Sequence, residues 1–248
     1  MKIFFLGTGT STGVPQIACK CSTCTSLDSK DKRLRASILV KIDNNQILID
    51  CGPDFRSQML NNHVEFLSAV LITHEHYDHI SGLDDLRPFG EVNIFAEDRV
   101  CSVIKLNMPY CFSENLYPGV PTLKINEITD KSFEINSIKI QPIRILHAKL
   151  PIFGYRIAKM AYLTDVKTID DHAYQLLKDL DLLILNALRM KEHIAHITLN
   201  EAIEIAQKIN AKKTFFIHFS HDIGKHEDVQ KLLPQNMFLS YDNLEIKI

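Results

Sequence analysis

Short apolar runs recur from end to end of the chain, separated by turn residues and by stretches of helical period. Strands are predicted at Ile3–Leu6, Ser37–Ile42, Gln46–Asp50, Ala69–Thr73, Ile138–Ile145, Tyr155–Ala158, Met160–Thr164, Leu182–Leu185 and Thr214–His218. Asp43-Asn44-Asn45 joins two of these runs as a hairpin, because Asn tolerates left-handed turn conformations. The clearest helix begins near Thr198. There Thr198 and Glu201 form a capping box, and Leu199, Ala202, Ile203, Ala206 and Ile209 make one apolar stripe. Strands alternating with helices, with antiparallel hairpins in each half, predict sheet layers covered by helices. Residues Gly90 to Lys131 are less regular and contain Pro109, Pro118 and Pro121, which suits an insertion capping a site.

Composition narrows the class. A chain of 248 residues makes one large domain or two small ones, and 46% hydrophobic against 23% charged residues is ordinary for a globular protein. A formal net charge of −2 provides no global footprint for nucleic acid. No run approaches the ~18 apolar residues of a membrane span. The stretch Ile3-Phe4-Phe5-Leu6 meets Gly7 too early for the apolar region of an export signal, so it reads as the first strand of a cytoplasmic protein. Cys19, Cys21 and Cys24 are crowded as for a metal rather than a disulfide framework, which agrees with a reducing compartment. Cys51, Cys101 and Cys111 have no ligand spacing and read as buried or free thiols. His63, His172 and His226 have no partner visible in the sequence.

The decisive segment is Thr73-His74-Glu75-His76-Tyr77-Asp78-His79, directly after an apolar strand. A single loop histidine is ordinarily a solvated polar residue, but this spacing is not that of a solvated loop. In an extended loop His74 and His76 project to one side and reach one ion, while Asp78 and His79 reach a second nearby. Two ions at about 3.5–4 Å are the usual clamp for displacement at phosphorus or attack on an acyl carbon.

The spacing resembles the first metal motif of the metallo-β-lactamase superfamily, and the likeness extends over nearly the whole chain. It implies a four-layer αββα sandwich, with residues 1–248 forming a single hydrolase domain. By the same resemblance His147 is the third histidine of the first ion, Asp165 the carboxylate shared by both ions, and His218 the last histidine. The first ion would be held by His74, His76, His147 and Asp165, the second by Asp78, His79, Asp165 and His218. Imidazole and carboxylate donors suit Zn²⁺, Mn²⁺ or Fe²⁺, with a bridging water that becomes hydroxide near neutral pH as the nucleophile.

Further features point to a branch of the superfamily. Gly7-Thr8-Gly9-Thr10-Ser11-Thr12-Gly13 followed by Cys19, Cys21 and Cys24 resembles the cyclic phosphodiesterases of bacterial phosphonate breakdown. That family implies a structural zinc on the three cysteines and a late histidine, here His221. His196 resembles the non-ligand histidine shared with the tRNA 3′-end nucleases, which protonates the leaving oxygen or stabilises charge; His193 is its rival and reads more simply as a surface residue. The nucleases' protruding arm has no room here, since only 17 residues separate His147 from Asp165 and a hairpin through Tyr155 fills them. Arg87 either reaches a substrate phosphate or, the preferred reading, pairs with Asp84 or Asp85.

The expectation is a cytoplasmic dinuclear phosphodiesterase, with two active-site Zn or Mn ions and one structural Zn, acting on a small, cyclic phosphodiester. His196 assists the leaving oxygen and Asp78 orients the nucleophile. Nucleic acid and membrane are not expected partners, and the resemblance leaves a homodimer open. A thioester or lactam hydrolase, or a tRNA 3′-end endonuclease, are the alternatives.

Overall fold

Successive side chains of the central strands enter two different apolar layers, which is why these strands are hydrophobic on both faces. The computed structural model describes residues 1–114 and 118–248. The first half holds β1 (Lys2–Gly7), β2 (Ser37–Ile42), β3 (Asn45–Ile49), α1 (Phe55–Asn61), β4 (Ala69–Leu71) and the short α2 (Tyr77–Ile80). It continues with β5 (Glu91–Glu97), α3 (Asp98–Asn107) and β6 (Thr122–Ile128). Next come β7 (Phe133–Ile135), β8 (Ile138–His147), β9 (Leu150–Ile157), β10 (Met160–Leu163), α4 (Asp171–Leu176) and β11 (Leu182–Asn186). The chain closes with α5 (Leu199–Ile209), β12 (Lys213–Ile217), α6 (His226–Gln230), β13 (Met237–Leu239) and β14 (Leu244–Lys247).

Among the described residues these strands form two seven-stranded sheets, ordered β14-β1-β2-β3-β4-β5-β6 and β13-β12-β11-β10-β9-β8-β7. Ile38 and Val40 of β2 face the layer between the sheets, where they meet Phe153, Tyr155 and Tyr162 of the second sheet. Leu39 points the other way, to a cluster that includes Phe55 and Met59 of α1 and Val100 and Ile104 of α3. In the second sheet Leu183 and Leu185 face outward, toward Ala202 and Ala206 of α5, while Leu182 and Ile184 face inward. The result is the expected αββα sandwich. Within each sheet a parallel run, β3 to β6 and β10 to β13, brings several strand C-terminal ends to one edge. Open sheets of this kind place their ligands at those ends.

All nine predicted strands exist, β2 with the predicted ends and the other eight with shifted ones, the largest shift being β9, which begins at Leu150 rather than Tyr155. The Asp43 turn is a hairpin with Asp43 itself left-handed at φ 50°. Residues 90–131 correct the expectation of an insertion. Their strands β5 and β6 extend the first sheet in parallel, and Val92, Ile94 and Ala96 are buried on alternate positions. The three prolines all fall in the connection between α3 and β6 or at its edges. Residues 115–117 of that connection lie outside the described residues. The pattern also does not mark β7, β13 and β14, which are short, and β14 is only half-buried on alternate residues. No helix among the described residues is long and apolar enough to cross a membrane.

The capping box at α5 is complete. Glu201 N donates to Thr198 Oγ1 at 3.2 Å, and Thr198 N donates to Glu201 Oε2 at 2.7 Å. The cap sits two residues from His196, so it fixes the end of the loop that carries that histidine. Replacing Thr198 with Ala removes one reciprocal bond and should lower unfolding stability by about 1 kcal/mol. Urea denaturation of the two proteins checks this, and an unchanged midpoint would refute the assignment.

Candidate active site

The site is built where strands of both sheets end. Three of its residues, Asp50, Asp165 and His218, follow strands β3, β10 and β12 with left-handed backbone at φ 64°, 56° and 64°. Such turns are uncommon outside Gly, Asn, Asp and His, and they swing a side chain away from the strand direction. After β4 the chain runs through His74 to His76, which is extended and precedes α2, the helix that carries Asp78 and His79. His147 is the last residue of β8, and its Nδ1 lies 2.9 Å from the Ala195 carbonyl, which fixes the ring and leaves Nε2 free.

Every residue predicted from the histidine motif meets its partners here. Donor atoms of His74, His76 and His147 lie within 4.8 Å of one another, with His74 Nε2 2.9 Å from His76 Nδ1. Asp78, His79 and His218 form a second such group. Asp165 faces both. Its Oδ2 is 3.3 Å from His79 Nε2 and 3.3 Å from His218 Nε2, while its Oδ1 is 4.0 Å from His147 Nε2. Asp78 Oδ2 lies 3.2 Å from His79 Nε2 and 3.5 Å from His218 Nε2. His196 is buried against the same centre, with Nδ1 3.6 Å from Asp165 Oδ1 and its ring 4.6 Å from that of His147.

These separations fit divalent cations. Donors about 2.0–2.2 Å from a tetrahedral ion stand roughly 3.3–3.5 Å apart. The buried Nε2 atoms of His79 and His218 make no hydrogen bond despite their neighbours, as ring nitrogens aimed at a shared point would. The charge balance agrees. Burial disfavours the ionised Asp165, yet His218 and His79 hold its carboxyl well below the usual range. Burial likewise opposes a charged His79, but Asp78, Asp50 and Asp165 hold it well above an ordinary histidine. Three carboxylates converging on one imidazole call for more positive charge than a single proton supplies. Burial and the neighbouring His79 push His74 well down, so it stays neutral, the form that ligates metal. Burial outweighs Asp165 at His196 and lowers it to about 3, leaving a neutral ring with one N–H to donate.

Asp50 is a site residue that the motif did not reveal. It is fully buried, its Oδ2 is 2.7 Å from His79 Nδ1, and it accepts from Thr73 N at 2.9 Å. It orients His79 as a carboxylate behind a ligand imidazole. The available signal was an Asp closing the apolar strand before Cys51-Gly52-Pro53. Asn186 acts similarly on the Asp165 loop, accepting from Val166 N at 2.7 Å.

Away from this centre, Cys19, Cys21, Cys24 and His221 also converge within 4.8 Å. His221 Nδ1 stands 3.4 Å from Cys19 Sγ and 3.3 Å from Cys21 Sγ. Contact with His221 lowers Cys21 to about 6, toward the thiolate that a metal requires, while burial raises Cys24 to about 11. Arg87 pairs with Asp84 at 2.6 Å, on the exposed surface. Cys51, Cys101 and Cys111 are buried. His226, unassigned by sequence, is buried with its ring Nδ1 3.3 Å from Arg33 Nη2, and its backbone N–H donates to Asp31 Oδ1. His193 is half-buried, its ring 5.0 Å from that of His196. A cavity of about 490 Å³ adjoins the metal loop, lined in part by Glu75, Tyr77, Ser81, Asp84 and Tyr110.

Comparison with known proteins agrees with this geometry. A family model for a β-lactamase superfamily domain matches residues 45–219. A crystal structure of a diphosphatase from the PhnP family superposes with a TM-score of 0.94 at 37% identity, covering 100% of this chain and 97% of that one. Zinc-bound PqqB from Methylobacterium extorquens has the same fold, at a TM-score of 0.85, 20% identity and full coverage of both chains. An octanoyltransferase of Porphyromonas gingivalis is 43% identical over 251 residues, covering 99% of this chain but 51% of the relative. The chain thus spans about half the length of that curated relative. The two sheets, the strand-end histidines and these matches together establish that the chain belongs to the metallo-β-lactamase superfamily and carries its metal-dependent hydrolase fold.

Proposed function

We propose that the protein is a dinuclear metal-dependent phosphodiesterase acting on a small, cyclic phosphodiester. The observation that carries this reading is His196, a buried imidazole set 3.6 Å from Asp165 beside the two groups of histidine and aspartate donors. The 37% identity to a diphosphatase supports chemistry at phosphorus. His74, His76, His147 and Asp165 would hold one ion, and Asp78, His79, Asp165 and His218 the other. Zn²⁺ and Mn²⁺ both suit these donors. When bound, the ions supply Lewis-acid activation of water and of the phosphoryl oxygens. Asp50 and the Ala195 carbonyl keep the His79 and His147 rings in place. Asp78 orients the attacking water through its second carboxylate oxygen. His196 donates its N–H toward the leaving oxygen as charge develops there. We read the chain as one catalytic unit of a cytoplasmic protein, with Cys19, Cys21, Cys24 and His221 around a structural zinc that ties the N-terminal loop to the end of β12.

A second reading, hydrolysis of a thioester, is favoured by the octanoyltransferase relative, since octanoyl transfer is acyl chemistry. The test is hydrolysis of a 2′,3′-cyclic nucleotide by protein loaded with Mn²⁺ or Zn²⁺, beside an octanoyl thioester. Turnover of the nucleotide is expected. In His196→Ala it should fall by roughly 10²–10⁴-fold with metal content retained. Cleavage of the thioester alone, or full activity in His196→Ala, overturns the proposal. Separately, Cys21→Ser should remove about one zinc per chain and lower thermal stability without touching the reactive pair. Unchanged zinc content in that variant disproves the structural site.

A further inference from the structure

The segment from β5 through α3 to β6 adds more than two strands to the first sheet. Arg99, in the first turn of α3, extends its guanidinium between two loops that come from different sheets. One Nη donates to the carboxylate of Glu75, the residue between His74 and His76. The other Nη donates to the Pro151 carbonyl at 2.7 Å and lies 3.5 Å from Glu97 Oε2. Pro151 sits in the hairpin just after His147, paired across the ladder with Leu146. The two partners of Arg99 therefore belong to the two chain segments that carry His74, His76 and His147.

We infer that Arg99 is a positioning residue that clamps the His74–His76 loop against the β8–β9 hairpin and so holds the three histidines of one ion in register. Planar guanidinium suits the task because it donates in two fixed directions at once, to a carboxylate and to a carbonyl. Lysine has three donors, but all on one nitrogen, and so spans two separate acceptors less well. The surrounding charges keep the arginine directed. Arg144 occupies the other side of Glu97 at 2.8 Å and is itself tied to Asp130 at 3.0 Å, so Arg99 is left to Glu75. The second ligand group lies outside the clamp. His79 is held by Asp50, and His218 is set by the left-handed turn after β12.

Ion pairs on open surfaces contribute little, so an ordinary surface pair would leave no trace on metal binding. A clamp behind ligands acts differently, on the order of 10–100-fold in metal affinity. The inference rests on the ligand sets proposed above, and its test separates the two. Co²⁺ is titrated into the chelator-treated full chain, with the thiolate absorption band reporting the Cys₃His site and the weaker visible bands reporting the histidine–carboxylate pair. The native protein should take two ions at that pair; if it does not, the ligand sets themselves fail. In Arg99→Ala one of the two should bind about 10–100-fold more weakly, with the other ion and the thiolate band unchanged. Arg99→Lys should recover only part of the loss. Glu75→Gln, which keeps the shape of the contact, should show the same one-sided weakening and serves if Arg99→Ala does not fold. Native affinity for both ions, or equal weakening of both, overturns the clamp.

Discussion

The structure depends on one buried carboxylate. Asp165 is almost fully enclosed, and burial of an ionised carboxylate is costly unless positive charge or strong donors surround it. Four imidazoles stand around it, from His79, His218, His147 and His196, with His79 held charged, and the Thr164 hydroxyl donates to its Oδ2 at 2.7 Å. Each arrives on a different element, and His79 comes from the first sheet while the others come from the second. The sandwich is therefore joined at its open edge by charge as well as by the apolar layer between the sheets. Asp165 is the residue at which the two groups of donors meet.

Around that centre a second layer of groups fixes the imidazoles. Asp50 holds His79, the Ala195 carbonyl holds His147, and Asn186 holds the turn that presents Asp165. These groups are mostly at strand ends or in short turns, where the regular hydrogen bonding of the sheet stops. Left-handed backbone at Asp50, Asp165 and His218 is the local cost of turning the side chains inward. The Cys19–Cys24 loop lies outside this assembly, but His221 connects it to the turn after His218.

Much of this was legible in the chain itself, for identifiable reasons. Central stretches such as Ile38–Val40 and Leu182–Leu185 are apolar throughout because both faces are covered, and that is a strong signal. The histidine motif was legible because six adjacent residues carry four donors. Strands β5 and β6 were hidden by the prolines between them and by polar alternate residues such as Asn93 and Lys124. Asp50, Arg99 and Asn186 were hidden for another reason. Each acts through partners 20 or more residues away, which no local pattern shows. The Arg87–Asp84 pair was legible because its partners are three residues apart on one turn.

The chain resembles a diphosphatase over its whole length and about half of an octanoyltransferase. What both readings share is the paired centre, and it is the claim on which the account stands. Its most direct test is anomalous X-ray diffraction from crystals of the zinc-loaded protein. The account predicts two peaks on either side of the Asp165 carboxylate, about 3.5–4 Å apart, and a third among Cys19, Cys21, Cys24 and His221. A peak at the cysteines alone, or a single ion with no partner across Asp165, would contradict it.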